Sequence, residues 1–102
     1  LKIDGAFSGC SSLETITIPD SVTAIGDATF KSCRSLKELH LSKNLTEIGY
    51  EAFAGCEKLE NVSLSEKLEY IDTGAFKSCP KLASVYIPNA DVELASRALG
   101  YN

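Results

Sequence analysis

The sequence contains no tryptophan, no methionine and a single histidine, His40. One histidine leaves little material for acid–base catalysis or for a metal site, because imidazole is the commonest group in both. No apolar run approaches the roughly 18 residues that a membrane-spanning helix needs, so we expect no membrane insertion. Basic residues are also few, at 10 against 14 acidic ones for a net charge of −4. We therefore expect no nucleic-acid partner, since binding phosphate requires a basic surface.

What the 102-residue chain does contain is hydrophobic side chains, 44% of the total, which predicts a folded core. It also contains four cysteines, an even number that suggests disulfides in a small secreted protein. Their spacing favours another interpretation, because each cysteine follows the previous one by 23 residues. The four are Cys10, Cys33, Cys56 and Cys79.

Six further columns of apolar residues repeat in this 23-residue register. A period of roughly 20–50 residues is typical of solenoids. The predicted fold is an α/β repeat solenoid of about four 23-residue turns, with a parallel sheet on one face and short helical turns or loops opposite. We interpret 1–102 as one solenoid segment with repeats at about 3–25, 26–48, 49–71 and 72–94, and a degenerate end at 89–102. The columns comprise Phe7, Phe30, Phe53 and Phe76, Leu13, Leu36, Leu59 and Leu82, and those that begin at Ile16, Ile18, Val22 and Ile25.

Within each repeat, the alternating leucines predict one short strand. Period two sends Leu39 and Leu41 to the core and the residues between them to solvent. The Phe-to-Cys segment is too short for a long helix and is predicted to be a single α or 3₁₀ turn. The Ile-Gly steps suggest bends at which Gly26 and Gly49 adopt positive φ, a region that Asp72 tolerates in the third copy. Residues 93–99 are expected to be more helical.

Two segments, 52–59 (AFAGCEKL) and 16–26 (ITIPDSVTAIG), resemble the BspA-type leucine-rich repeat family. The likeness extends from Ile3 to about Asn89. It implies a right-handed solenoid with its strands on one face, in surface or secreted proteins of bacteria and some protozoan parasites. Several members act as adhesins for host matrix proteins or other cells. The resemblance brings no catalytic residues, because the shared columns are structural.

The outward strand positions are the predicted protein-binding face, since solenoids commonly bind through such regular surfaces. We hypothesise a non-enzymatic protein-binding module of a cell-surface or secreted (extracellular) protein, which functions in adhesion to host or matrix proteins and needs no cofactor. The alternative is a structural spacer that presents another domain and has no ligand of its own. The equally simple interpretation of the face is a polar surface that keeps the sheet soluble. Its residues are Thr15, Thr17, Glu38, His40, Asn61, Ser63, Ser84 and Tyr86.

Other chemistry fits the sequence less well. Steps of about 4.8 Å between repeats spread the cysteine sulfurs too far for zinc and place neighbouring Cβ atoms beyond the usual disulfide range, so we predict a ladder of buried thiols. Glu38, His40 and Ser63 form only a superficial triad, on an open face without an oxyanion hole. No loop gathers the six or more oxygens that calcium takes. Neither end carries a polar cap, so we expect further repeats or another domain at the ends.

Overall fold

The fold is that of a computed structural model, which describes residues 1–88, 92–95 and 98–99. Within these ranges the chain forms short strands joined by tight turns, and no helix. Each of the first four repeats contributes one strand of three residues and one of two residues. In chain order the strands are β1 (Lys2–Ile3), β2 (Thr15–Thr17), β3 (Ala24–Ile25), β4 (Glu38–His40), β5 (Glu47–Ile48), β6 (Asn61–Ser63), β7 (Tyr70–Ile71), β8 (Ser84–Tyr86) and β9 (Glu93–Leu94).

Strands stack on two sides of the solenoid. The odd-numbered strands form a continuous five-stranded parallel sheet in the order β1-β3-β5-β7-β9, here named the long sheet. The even-numbered strands form two separate parallel pairs, β2-β4 and β6-β8, which together make the split face. Ile48 pairs with Ile71 in the long sheet and Thr15 with Glu38 on the split face, so most neighbours lie one 23-residue repeat apart. The repeat register is therefore the pairing register.

The sequence-based placement of the sheet was right for one side and wrong for the other. The leucine-rich segments are strands, with Leu39 half-buried between exposed neighbours, as predicted. The Ile-Gly steps, predicted to be bends, instead end the strands of the long sheet. Two-residue strands such as Ala24–Ile25 carry no alternation for a periodicity argument to detect. Only their pairing with one another, in a sheet of five strands, identifies them as strands.

The predicted helical turns are also absent from the described residues. Cys33 N–H donates to the Phe30 carbonyl and Lys31 N–H to the Ala28 carbonyl, each at 3.2 Å, which makes separate tight turns. Positive φ at Ala28 (56°) and Ser32 (61°) interrupts any helical run, because helices require negative φ throughout. The expected helix at 93–99 is wrong at Glu93–Leu94, which is strand β9, and 96–97 lie outside the described residues. The same two columns have positive φ at Gly5, Gly9, Glu51, Gly55, Gly74 and Ser78.

The phenylalanine column forms the centre of the core, as predicted. Neighbouring rings stack 5.2–5.3 Å apart and within 5–6° of parallel. Phe30, Phe53 and Phe76 are fully buried, whereas Phe7 at the first repeat is partly exposed. The rings therefore bind consecutive repeats together through a continuous column of contacts.

Glycine is needed at the Ile-Gly steps for close approach rather than for positive φ. Neither Gly26 nor Gly49 has positive φ, and the same is true of Asp72. A Cβ on Gly49 would lie 2.7 Å from the carbonyl carbon of Gly26 in the preceding repeat. Asp72 occupies this column in the third copy, and its carboxylate accepts the Thr73 N–H at 2.6 Å.

Thr29 compensates for a residue that the first repeat lacks. Lys2 pairs with Ala24, only 22 positions away, so the first repeat is one residue short. Gly5 N–H donates to the Thr29 hydroxyl at 3.1 Å, and that hydroxyl donates to the Gly26 carbonyl at 2.8 Å. At the next junction the equivalent donor is the Ala28 N–H, which donates to the Tyr50 main-chain carbonyl at 2.9 Å. Alanine precedes the other three phenylalanines of the column, and Thr29 replaces it at the repeat where its hydroxyl supplies the missing acceptor.

Thr29→Val is expected to lower the free energy of unfolding by about 1–3 kcal/mol, because it leaves the Gly5 N–H without its acceptor while keeping the side-chain shape. Urea unfolding followed by circular dichroism measures this. The matched control is Thr46→Val, since the Thr46 hydroxyl donates to a carbonyl at an exposed site. A cost for Thr29→Val no larger than the control's would contradict the compensating role.

Candidate functional site

The eight predicted binding residues all lie on the split face, and all are exposed. The strand pleat places them there because they alternate with inward side chains, of which Val62 is fully enclosed. Their placement and exposure confirm the alternation argument, while their role in binding stays a prediction. By strand they are Thr15 and Thr17 on β2, Glu38 and His40 on β4, Asn61 and Ser63 on β6, and Ser84 and Tyr86 on β8.

Pairing across the strands fixes which of these side chains are neighbours. Ser63 lies opposite Tyr86, and Asn61 opposite Ser84. The Ser84 hydroxyl donates to the Asn61 side-chain oxygen at 2.8 Å. Tyr86 is 64% exposed, which makes it the large apolar surface of this face. Aromatic side chains of this kind are enriched at binding hot spots.

The superficial triad does not form catalytic geometry. In the part of the chain that the structure describes, no hydrogen bond joins Glu38, His40 and Ser63. Nucleophilic catalysis requires the base to lie within hydrogen-bond reach of the nucleophile. Glu38 and His40 also lie on β4, whereas Ser63 lies on β6, and these two strands are not paired.

The break between β4 and β6 corrects the prediction of one continuous sheet on this side. At the first junction Ile18 N–H donates to the His40 carbonyl at 2.7 Å, and the third junction has the equivalent bond at 2.9 Å. At the central junction the equivalent bond would join Leu41 N–H to the Ser63 carbonyl. Among residues 1–88 that bond is not formed. The split face therefore consists of two rigid halves with a seam between them.

A groove of about 540 Å³ opens at one end of this seam, between the corner loops 41–44 and 63–67. Ser42 shapes the first loop: its hydroxyl accepts the Asn44 N–H at 3.0 Å and donates to the Val22 carbonyl at 2.7 Å. In the second loop the Ser65 hydroxyl accepts the Lys67 N–H at 3.0 Å and donates to the Lys43 carbonyl of the first loop at 2.8 Å. Sequence reasoning missed this groove. The available signal was that serine occupies the two inner repeats of a column whose outer members are proline.

Charged side chains beside the seam make one exposed ion pair. Lys37 Nζ lies 3.6 Å from Glu60 Oε2, and both side chains are largely solvated. Such exposed pairs contribute little to stability. This pair joins the second repeat to the third across the seam.

A more enclosed carboxylate lies outside the split face. Glu51 accepts from Lys31 Nζ at 2.6 Å and lies 3.9 Å from Lys77 Nζ, so it links three consecutive repeats. The hydrogen bond from Lys31 holds the pKa of the Glu51 carboxyl below its ordinary value. The same bond raises the pKa of the Lys31 ammonium. This cluster is structural, because both lysines are already directed at the carboxylate.

The cysteine column is a ladder of free thiols. Three of the four thiols donate to the carbonyl of the phenylalanine in the preceding repeat, at 3.1 Å for Cys33, 3.4 Å for Cys56 and 3.2 Å for Cys79. Burial raises the pKa of the Cys33 thiol. The proximity of the Cys79 thiol, together with burial, raises the pKa of the Cys56 thiol, and the same interaction lowers the pKa of Cys79.

Thiol alkylation should divide the ladder into two classes. We expect the partly exposed Cys10 and Cys79 to react with iodoacetamide at least about tenfold faster than the buried Cys33 and Cys56, because only an accessible thiolate attacks. Mass spectrometry of peptides over a time course measures the rates. Denatured protein without reductant should take up four labels, and uptake of none would mean two disulfides.

The described residues include neither a candidate metal site nor a candidate membrane-spanning helix. Among them, no group of three or more His, Cys, Asp or Glu side chains lies close enough together to hold a metal ion. The described part of the chain also has no helix of the length and hydrophobicity needed to cross a membrane.

Solved structures support the fold. A leucine-rich cell surface protein from Faecalibacterium prausnitzii A2-165, solved at 1.80 Å, aligns with a TM-score of 0.60 and 28% sequence identity over 95% of this chain. A leucine-rich repeat protein of T. pallidum aligns with a TM-score of 0.55 and 20% identity over 93% of this chain. The chain spans 33% of the first protein and 66% of the second.

Sequence comparison gives the family. No curated protein matches the chain significantly. The family model described as a BspA type leucine rich repeat region, with six copies, matches residues 3–102. This match covers nearly the whole chain and includes the columns from which the resemblance was drawn. The chain therefore belongs to the BspA-type leucine-rich repeat family.

Proposed function

We propose that this chain is a non-enzymatic protein-binding module of a cell-surface or extracellular protein, and that it binds through the split face. The observation that carries the proposal is the set of eight exposed side chains held on paired strands, with Tyr86 64% exposed among them. A rigid scaffold of this kind lowers the entropic cost of binding, because its side chains start from fixed backbone positions. Family membership and the cell-surface relative support the location.

Adhesion to host or matrix proteins is the form of binding that we propose for the parent protein. Support comes from the family together with the polar character of the face, on which Glu38 is an exposed acidic residue and His40 the only imidazole. A surface with few charges and a single large aromatic group suits a protein partner whose own contact surface is polar.

The alternative is a structural spacer without a ligand. The observation that favours it is the long sheet, which runs unbroken through all five of its strands and joins every repeat to the next. A continuous ladder of main-chain hydrogen bonds stiffens a solenoid along its axis. Further repeats or another domain at the ends would extend this rod, and we propose that they cover the partly exposed apolar residues of the end repeats, such as Phe7 and Leu82.

A binding experiment with matched variants separates the two functions. Purified extracellular matrix proteins are captured by the intact chain and by a triple variant, Glu38→Ala, His40→Ala and Tyr86→Ala. The control is Lys2→Ala with Glu47→Ala, which removes exposed side chains from the long sheet. We expect the triple variant to lose capture and the control to retain it.

Two outcomes would contradict parts of the proposal. Capture that is equal for the intact chain and the triple variant would show that another surface binds. Capture of no protein by the intact chain would favour the spacer. Circular dichroism of every variant checks that the fold is retained.

A further inference from the structure

The groove at the seam is already shaped before any ligand arrives. Its two loops are held by the Ser42 and Ser65 hydroxyls, and by a contact of 2.7 Å in which Lys67 Nζ donates to the Asn44 side-chain oxygen. Its volume of about 540 Å³ lies within the range of small-molecule sites in proteins. Because these loop-shaping groups are bonded to one another, a ligand need not reorganise them.

Other polar groups in the groove have no hydrogen-bond partner among the residues that the structure describes. The open seam leaves the Leu41 N–H as a donor and the Ser63 carbonyl as an acceptor. The Ser63 hydroxyl is exposed at the same place, and Lys43 and Glu66 line the groove with exposed charges of opposite sign. The groove therefore offers both hydrogen-bond donors and hydrogen-bond acceptors to a ligand.

The exposed ring of Tyr86 lies next to the groove rather than among its lining residues, on the strand that pairs with β6. Ser63 is the register partner of Tyr86 on the neighbouring strand, and adjacent paired strands lie about 4.8 Å apart. Tyr86 is 64% exposed, so much of its ring surface is available to a ligand. An aromatic ring provides a flat apolar surface, with its hydroxyl left in water.

We propose that the groove binds a carbohydrate, with one sugar ring packed against Tyr86 and its hydroxyls bonded to the Leu41 N–H, Ser63 and Glu66. A sugar hydroxyl both donates and accepts hydrogen bonds, which matches a groove that offers both donors and acceptors. The opposite face of a pyranose ring carries C–H groups, which pack on an aromatic ring. A peptide fits less well, because a peptide hot spot needs a desolvated apolar pocket and Leu64, the apolar floor, is already buried.

This inference rests on the proposed function in one respect, since Tyr86 belongs to both surfaces. It goes further by naming the chemical class that the groove recognises, which is the glycan of a glycoprotein rather than its polypeptide.

Saturation-transfer difference NMR with methyl pyranosides of glucose, galactose, mannose, fucose and N-acetylglucosamine tests it directly. We expect at least one glycoside to receive saturation, most strongly at the C–H groups of one ring face. Tyr86→Ala should weaken its binding about three- to tenfold, in keeping with the contribution of an aromatic contact. Ser63→Val should also weaken it, whereas Tyr50→Ala, which removes another exposed tyrosine, should not. Absence of saturation for all five, or equal saturation in Tyr86→Ala, would overturn the inference.

A second arm separates this inference from the proposed function. The panel of matrix proteins is presented before and after enzymatic removal of N- and O-linked glycans. Loss of capture after removal supports carbohydrate binding. Unchanged capture overturns it while leaving protein binding in place. If no panel protein is captured even before treatment, the protein-binding proposal fails and the glycoside experiment alone decides the inference.

Discussion

Replacing Phe53 by alanine is expected to lower the free energy of unfolding by about 3–5 kcal/mol, the largest effect of any substitution considered for this protein. The ring of Phe53 is fully buried and stacks on Phe30 at 5.2 Å on one side and on Phe76 at 5.2 Å on the other. Truncation removes both contacts and leaves a cavity whose walls are neighbouring repeats. Those walls cannot collapse into it without shifting the strand pairing on both sides.

Urea unfolding followed by far-UV circular dichroism measures this loss. The matched variant is Phe7→Ala, at the end of the column, where the ring is partly exposed and stacks on Phe30 alone. We expect Phe7→Ala to lower the free energy of unfolding clearly less than Phe53→Ala does, because folding buries less of the apolar surface of Phe7. Equal costs for the two variants, or an unchanged midpoint for Phe53→Ala, would show that the stack is not what holds the repeats together.

Gly49→Ala is expected to have the second largest effect, a destabilisation of about 1–3 kcal/mol or slightly more. Its Cβ would lie 2.7 Å from the Gly26 carbonyl carbon and 2.8 Å from the Asp27 nitrogen. Both atoms belong to the main chain of the preceding repeat, so no rotation of a side chain relieves the contact. The long sheet would have to open at β3 and β5.

Gly26→Ala provides the contrast that tests this explanation. There the nearest atoms, at 2.5–3.0 Å, all belong to the side chain of Asp4. Asp4→Gly should therefore rescue most of the stability lost in Gly26→Ala, as a double-mutant cycle would measure. Asp27→Gly should rescue Gly49→Ala only in part, because the contact with main-chain atoms remains. Equal rescue in the two pairs would contradict the assignment of the clash to the backbone.

The candidate site was predictable in part. Alternation along β4 was sufficient to place Glu38 and His40 in solvent and Leu39 inside, because period two is a property of the extended chain alone. The groove was not predictable, since it depends on a main-chain hydrogen bond that forms at two junctions and not at the one between Leu41 and Ser63. The column that differs, with serine at 42 and 65 and proline at 19 and 88, marks the inner repeats but does not report which ladder closes.

Thr29 shows the same limit in the fold. In the sequence it is one departure from a column of alanines, and its hydroxyl has no assigned role. Its function appears only when Gly5 N–H is found at 3.1 Å from that hydroxyl, in a repeat that is one residue short. A shortened repeat changes which main-chain groups face each other, and the residue types in the column do not predict that change.

By itself, the sequence determined the period, the solenoid and the inward columns, because a residue that recurs every 23 positions must occupy the same place in each repeat. Tertiary structure decided where the strands pair, that Ala28 and Ser32 take positive φ, and that Gly49 is needed for closeness. The physical reason is that hydrophobicity belongs to each residue type by itself, so a sequence column shows it directly. Hydrogen-bond closure and steric contact are properties of two repeats at once, and they exist only after the repeats have stacked.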